Sequence, residues 1–387
     1  MRSFLKKAGA FALPLLLVLI VFTGCAGKGA AGEAASNEVK LPERFKYSHS
    51  LELDYATGFD VDFYEGGEVL ITLNGKDKYL GLPEGESCEE IPGVTIFPLN
   101  SKRIYLASSS VMDFFRELKA LENVRLTSTR AADWDIPEIK AAVENEDIVF
   151  VGPYRAPDYE YILEDETEFV IENTMIFHTP EVKEKLEEMG LPVMVEYSSY
   201  EKHPLGRLEW IKLYGVLTGK LPEAEEFFDS QVKSLDETIG TFDEADRKTM
   251  AFFYINTQGI ANVKTKDDYV PEMIEMAGGR YIPDDVSTVS ELGATGMNMQ
   301  MEEFYDCVLD ADFLVYNSSL GGNINSIEEL VGKSKHLADF KAVKEGRVWC
   351  TNPGLYQQPT AICRIISEFN KILNGDPEEL EFFRYVQ

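Results

Sequence analysis

Short strand-like apolar runs alternating with helical spacings predict an α/β protein of two doubly wound lobes, joined by a helical segment where the alternation stops. Three observations carry this expectation. The runs at residues 104–106, 148–151 and 192–195 are each associated with apolar residues at helical spacing, and β/α alternation with short connections implies a mainly parallel sheet. Residues 204–217 and 222–239 then give two helical stretches with no strand between them. Alternation resumes at residues 250–255 and continues through strand patterns at 313–316 and 347–350. The expected organisation is a leader over 1–24, a tether over 25–40, a first lobe over 41–203, a helical joint over 204–244 and a second lobe over 245–387.

The leader begins with Arg2, Lys6 and Lys7 and continues as an almost unbroken apolar run from Ala8 to Phe22. Thr23 and Gly24 then place small residues before Cys25, the pattern of an export signal cut at a cysteine that becomes lipidated. The run carries Pro14 and falls short of the ~20 apolar residues that span a bilayer. Cys25 is therefore the expected anchor, with an uncleaved N-terminal anchor as the alternative. Residues 26–37, rich in Ala and Gly without apolar periodicity, read as a random-coil tether.

Residues 59–82 read as a β-hairpin region, with turns at Glu65-Gly66-Gly67 and Asn74-Gly75. Val111, Phe114, Phe115 and Leu118 mark the first helix. Asp135 stands where a cap precedes the helix containing Pro137, and Thr179, Pro180 and Gly190 bracket another. Ala224, Phe228, Val232, Leu235 and Ile239 form one apolar stripe on the last helix of the joint. Further helices are expected over 269–277, 301–309 and 359–373.

Hydrophobic residues make up 44% of the chain and aromatics 11%, ample for packed cores. The formal net charge is −30, and removing the leader's three cations makes the remainder more acidic still. Such a field repels nucleic acid and anionic lipid surfaces and chiefly confers solubility. Cys88, Cys307, Cys350 and Cys363 are widely spaced, with no Cys-x-x-Cys, so a zinc or redox motif is unsupported. Cys307 in a helical pattern and Cys350 in a strand pattern suit small buried hydrophobes. An unassigned disulfide between two of the four remains open.

Motifs for enzyme chemistry are missing. The chain has no Gly-rich phosphate loop, no Gly-x-Ser-x-Gly elbow and no His-Glu-x-x-His helix. His49, His178, His203 and His336 are scattered; His178 and His203 each follow a strand pattern in one lobe, but a metal site is not expected. Carboxylate pairs carry no signal in so acidic a chain.

The chain resembles the class III substrate-binding proteins of ABC importers, which capture ferric siderophores, haem and cobalamin. The most specific stretch is residues 197–212, Tyr-Ser-Ser-Tyr-Glu-Lys-His-Pro-Leu-Gly-Arg-Leu-Glu-Trp-Ile-Lys, which looks like the passage from the first lobe into the joining helix. Residues 148–159 and the Ala-Val-Lys-Glu-Gly-Arg-Val-Trp of 342–349 support it. The resemblance implies two Rossmann-like lobes on a rigid joint and a lipid-anchored, monomeric receptor with no cofactor of its own. Its cargo would be a ferric complex or haem, with a corrinoid next. It would hand that cargo to a permease driven by separate ATPase subunits. It also implies a docking glutamate on each lobe, matched in position by Glu138 and Glu303. A free-metal-ion binder, an extracytoplasmic enzyme and an adhesion-type lipoprotein stay open as other readings.

In open α/β sheets ligands bind beyond the carboxyl ends of the strands. Here those ends are residues 107–110, 127–133, 152–158 and 197–203 in the first lobe, and 256–263, 287–299, 317–325 and 352–358 in the second. Within or beside these loops Tyr154, Tyr200, Tyr269 and Tyr356 are candidate ligand-facing aromatics, or else half-buried loop residues. Arg155 and Arg207 could clamp anionic groups, and Arg207 could instead pair with Glu201. Met297, Met299 and Met301 offer soft ligands but read more simply as inward packing.

Overall fold

The computed structural model describes residues 41–240, 242–284, 296–376, 378 and 380–387. The leader, the tether, Cys25 and most of the 287–299 loop lie outside the described residues.

Three sheets organise the body. β1 (Tyr47–Ser50), β2 (Phe59–Tyr64), β3 (Val69–Leu73), β4 (Asp77–Leu82) and β5 (Val94–Pro98) form the first in sequence order, antiparallel except for the parallel β4–β5 pair. The hairpin region is thus the middle of a larger sheet. Its flanking strands lack apolar alternation: β1 is fully exposed and β5 ends on Pro98.

The second sheet is wholly parallel. Its elements are β6 (Ile104–Leu106), α1 (Met112–Glu117), β7 (Val124–Thr127), α2 (Pro137–Glu144), β8 (Val149–Phe150), α3 (Tyr159–Glu164), β9 (Phe169–Asn173), α4 (Pro180–Glu188) and β10 (Val193–Glu196). The strand order is β10-β9-β6-β7-β8, which reverses direction between β6 and β9. Ile136, not Asp135, occupies the N-cap of α2. The Asp135 backbone N–H is instead bonded to Gln357, from the other end of the chain.

The joint is α5 (Pro204–Glu209), α6 (Ile211–Thr218) and α7 (Leu221–Thr238). The third sheet follows. Its elements are β11 (Thr249–Ile255), β12 (Ala261–Lys264), α8 (Tyr269–Met276), β13 (Arg280–Tyr281), β14 (Gly296–Met299), α9 (Met301–Val308), β15 (Phe313–Tyr316), α10 (Ser318–Gly321), α11 (Ile327–Lys333), α12 (Lys341–Lys344), β16 (Val348–Thr351), α13 (Ile362–Asn374) and β17 (Phe383–Tyr385). Its order is β14-β12-β11-β15-β16-β17, with β13 also pairing β11. The β11, β15 and β16 core is parallel and β12, β14 and β17 are antiparallel additions.

One buried apolar cluster runs without a break through the first lobe, the joint and one face of the third sheet, where Met250, Phe252, Val315 and Trp349 lie. The opposite face, with Ala251, Phe253, Leu314 and Tyr316, packs in a separate cluster with α9 and α12. Buried Ala224, Phe228 and Leu235 on α7 belong to the shared cluster, with Val232 and Ile239 packed against it. Cys350 and Cys363 are buried free thiols, and burial pushes Cys363 up to about 12, so neither is poised for reaction. Cys307 departs from expectation. It is exposed, because the buried stripe of α9 is Met301, Phe304 and Val308.

Two carboxylates fix the joint to the first sheet. Glu209, buried in α5, accepts the backbone N–H groups of Asp54 (2.9 Å), Tyr55 (2.8 Å) and Ala56 (2.7 Å). Glu201 accepts those of Thr57 (2.8 Å) and Gly58 (2.6 Å), and the Trp210 indole N–H (3.1 Å). Five consecutive amides of this partly buried loop, which no strand or helix pairs, are thereby satisfied. Gly206 makes the approach possible, since a Cβ there would stand 3.0 Å from the Tyr55 carbonyl oxygen. The Lys212 ammonium, 2.7 Å from Glu209 and equally buried, balances the charge.

Glu209→Ala leaves three amides and a buried ammonium without their acceptor. A loss of ~3–5 kcal/mol in urea unfolding at neutral pH is expected. Burial pushes the Glu209 carboxyl up, but the Lys212 bond and the three amides outweigh it and hold it below its ordinary value. Its contribution is therefore present above the ordinary glutamate range and lost as pH falls through and below it. The gap between wild type and variant should narrow on acidification, and a gap independent of pH would contradict the assignment.

Candidate ligand cleft

The reversal of strand order between β6 and β9 opens a crevice at their carboxyl ends, the general location of ligands in such sheets. The Ala107 carbonyl there accepts Ser128 Oγ (2.9 Å) and Asn173 Nδ2 (3.3 Å), closing the β6, β7 and β9 ends on one another. Glu196, buried at the end of β10, accepts Ser108 Oγ (2.8 Å) through one oxygen and Ser198 N (2.9 Å) and Oγ (2.6 Å) through the other. The loops after β6 and β10 are thus rigid walls rather than free turns.

Facing these walls, residues of the second lobe complete a cavity of about 280 Å³. Its lining includes Ser110 and Ser199, Arg207 from α5, Tyr269 from α8, and Tyr356 and Gln358 from the segment after β16. A larger hollow of about 570 Å³ lies beside Cys88 and Lys102. That hollow abuts the amino ends of β6 and β9, so position favours the smaller cavity.

Arg207 is held on three sides. Its Nε donates to the Glu201 carbonyl at 2.9 Å, an Nη donates to the Ser199 carbonyl, and its guanidinium lies 3.6 Å from the centre of the Tyr269 ring. The cation–π contact joins the joint to the second lobe across one cleft wall. Burial raises the Tyr269 hydroxyl to about 12 despite Arg207, so the ring is a neutral phenol at physiological pH. Asp268 caps α8 through Val270 N (2.8 Å) and pairs with Lys264 Nζ (2.8 Å). Tyr356 accepts Asn317 Nδ2 at 2.8 Å, and the buried Asn317 Oδ1 has no hydrogen-bond partner. Burial lifts the Tyr356 hydroxyl well above its usual range. The cleft therefore offers neutral phenols, hydroxyls and amides around Arg207, Lys264 and Asp268.

Of the residues singled out from sequence, Arg207, Tyr269 and Tyr356 line this cavity together. Tyr200 is 45% exposed with its ring 6.0 Å from that of Tyr197, outside the lining. Tyr154 packs against the first-lobe core, and Arg155 is exposed. Met299 and Met301 are buried in the outer-face cluster, with Met297 packed against it. Glu138 and Glu303 are exposed on the first turns of α2 and α9. Lys264 and Asp268 were not singled out. The antiparallel β12 carries the chain back from the 256–260 turn, so the start of α8 faces the first lobe instead. The Asp268-Tyr269 capping position was the available signal. Three of the histidines have local roles: His203 caps α5 through Leu205 N (3.2 Å), His49 stacks on Phe63, and His336 lies edge-on to Tyr305. Among the described residues no three His, Cys, Asp or Glu side chains form a metal-ligating group.

No family model matches the chain. It is 23% identical to a Methanocaldococcus jannaschii protein named uncharacterized lipoprotein MJ0878, over 91% of this chain and 89% of that one. It is 24% identical to a second lipoprotein of that organism, MJ0872, over 83% and 78%. Among solved structures, a periplasmic binding protein of Veillonella parvula aligns over 72% of this chain and 92% of its own, with TM-score 0.59 and 15% identity. The chain has the two-lobe fold of the periplasmic binding proteins. Two further neighbours are the periplasmic haem-binding protein HutB of Vibrio cholerae (TM-score 0.54, 17% identity, 68% and 97% covered) and the triscatecholate siderophore-binding protein FeuA of Bacillus subtilis (0.55, 14%, 73% and 96%). All three neighbours are binding proteins.

Beneath the crevice Glu172 on β9 is fully buried, and neither carboxylate oxygen has a well-formed hydrogen bond. The Tyr105 hydroxyl on neighbouring β6 is also buried and unpartnered. Burial pushes the Glu172 carboxyl up to about 8, with the Asn173 N–H offsetting little of it. Because the folded value is raised, the stability is fully present below the ordinary glutamate range and lost as pH rises from there to about 8. Glu172→Gln should therefore match wild type at pH 4.5 and become the more stable protein by pH 8.5, by on the order of 3–5 kcal/mol. Parallel pH–stability curves for the two would refute a buried neutral acid.

Proposed function

We propose that this chain is the membrane-anchored substrate-binding protein of an ABC importer, and that it captures an iron complex, siderophore or haem. The observation that carries the reading is the cavity built where strand ends of both lobes meet, lined by Arg207, Tyr269 and Tyr356. It sits in a fold whose solved neighbours include a haem binder and a siderophore binder. A binding role needs no covalent chemistry, and the cleft's neutral phenols and fixed guanidinium suit recognition of an anionic, partly aromatic ligand. Anchoring through Cys25 outside the cytoplasm accords with the relatives being named lipoproteins. Tyr154, Arg155 and Tyr200 belong to the same ligand set if the cleft opens toward the first-lobe loops.

Delivery requires a permease and its ATPase subunits. Glu138 and Glu303, one exposed on each lobe, are the proposed contacts for cationic side chains on the permease.

The reading is tested first by thermal shift on the full chain in detergent, with ferric hydroxamates, ferric catecholates, haemin, cobalamin and free metal ions as separate additions. A ligand at 100 times its dissociation constant adds about 2.7 kcal/mol of stability. A shift with one iron complex is expected. A shift with cobalamin alone would make this a corrinoid receptor, one with free metal alone an ion binder, and none at all would count against the reading. In proteoliposomes carrying the permease and ATPase, Glu138→Lys with Glu303→Lys should lower ligand-stimulated ATP hydrolysis by about tenfold or more while leaving ligand affinity unchanged. Unchanged hydrolysis would remove these residues from the docking face.

A further inference from the structure

The ten residues from Asn352 to Ala361 form a strap that leaves β16 in the second lobe, touches the first lobe twice and then starts α13. Its side chains take alternate duties. Leu355, Tyr356, Gln358 and Pro359 line the cavity. Between them, the Gln357 carboxamide reaches the first lobe, accepting the Asp135 N–H (2.9 Å) and donating to the Asp133 carbonyl (2.8 Å). Thr360 then binds Asp113 of α1 through its N–H (3.1 Å) and Oγ1 (2.5 Å), and Arg116 donates to both Asp113 (2.7 Å) and Thr360 (3.2 Å).

The strap has little freedom between these anchors. The Gln357 N–H closes a turn onto the Gly354 carbonyl at 2.9 Å. Gly354 has φ +88°, and a Cβ there would stand 3.1 Å from the Asp135 Cβ, so a side chain would be strained in conformation and crowded against Asp135. Tyr356, inside that turn, is tied to Asn317 at the end of β15. On the far side, the loop that Gln357 grips contains buried Trp134 and runs straight into α2, where Glu138 is exposed in the first turn. Adjacent residues of one turn thus contact the cavity and the approach to α2.

We propose that Gln357 is a positioning residue that couples the cavity wall at Tyr356 to the 133–138 loop, so that a change in the cleft is transmitted to the exposed start of α2. Its part in delivery rests on the receptor reading above; the coupling itself does not. In solution the coupling makes α2's first turn sensitive to a perturbation of Tyr356 only while the Gln357 carboxamide bridges the lobes.

The test is hydrogen exchange on the full chain in detergent, comparing wild type, Tyr356→Phe, Gln357→Met and the double variant. Tyr356→Phe removes the hydroxyl bound by Asn317, and Gln357→Met keeps the side-chain length without either hydrogen bond. Tyr356→Phe should speed exchange of the 135–141 amides by about fivefold with Gln357 present and leave them within about 1.5-fold with Met in its place. 19F spectra of 5-fluorotryptophan protein give a second reading. The Trp134 resonance should move with Tyr356→Phe only when Gln357 is present, while the Trp210 resonance, from a ring packed on Phe59 of the first sheet, stays fixed and certifies the fold. An equal Tyr356→Phe effect in both backgrounds, or none in either, overturns the coupling. Neither measurement uses a ligand, so silence in the thermal-shift panel leaves this result intact, and failure here leaves the receptor reading intact.

Discussion

The acceptance of five successive backbone amides by Glu201 and Glu209 holds the architecture in register. Residues 54–58, in the loop between β1 and β2 of the first sheet, form no strand or helix, and their N–H groups would be costly orphans if left dry. Satisfying them with two carboxylates on one short segment forces the start of α5 against the first sheet. Everything that α5 carries is then placed. Trp210 is packed against Phe59 with ring centroids 4.9 Å apart, and Arg207 faces the second lobe at Tyr269. A side chain that bridges lobes is useful only if its own backbone cannot drift.

The two cleft walls are joined by different chemistries. On one, Arg207 lies over Tyr269, a contact that tolerates sliding because the π face is broad. On the other, Gln357, Thr360 and Asp113 make directional hydrogen bonds that do not. Between them runs the apolar cluster shared by the first lobe, the joint and the inner face of the third sheet. A continuous core of that kind behaves as a packed solid. Such a shared core does not leave the lobes as two bodies on a flexible linker.

Much of this was legible in the sequence where local rules act. Strand-end geometry placed the 107–110, 197–203 and 352–358 loops at the cleft, and helix-end chemistry located α4. Strand β9 was harder to read, because Phe169-Val170-Ile171 follows an acidic run and ends in Glu172, a residue type seldom buried. Noted only as the strand pattern before His178 and not among the cleft-facing strand ends, β9 left the position of the strand reversal unplaced. Cys307 misled because a helical pattern does not say which face a residue between two stripes takes. The Arg207–Tyr269 stack and the strap contacts depend on residues 62 and more than 200 positions apart, and no local period encodes them. Asp135 is a good capping residue by sequence, yet Ile136 takes the cap, and the Asp135 amide is bonded to Gln357.

The size of the cavity finally constrains how any cargo enters. About 280 Å³ lies just below the ~300–1,000 Å³ of pockets for drug-sized ligands. An iron complex or macrocycle needs the walls to separate, and the hydrogen-bonded wall resists that more than the stacked one. Separating that wall breaks the two Gln357 bonds together with the Thr360–Asp113 and Arg116–Thr360 bonds, each worth about 0.5–3 kcal/mol after water replaces it, whereas a nanomolar ligand supplies about 12 kcal/mol. A ligand can shift the lobe angle only by what it gains in the open form over the closed one. The wall on Gln357 is thus the more directional of the two, and its hydrogen bonds run from the cavity-lining strap to the loop that enters α2.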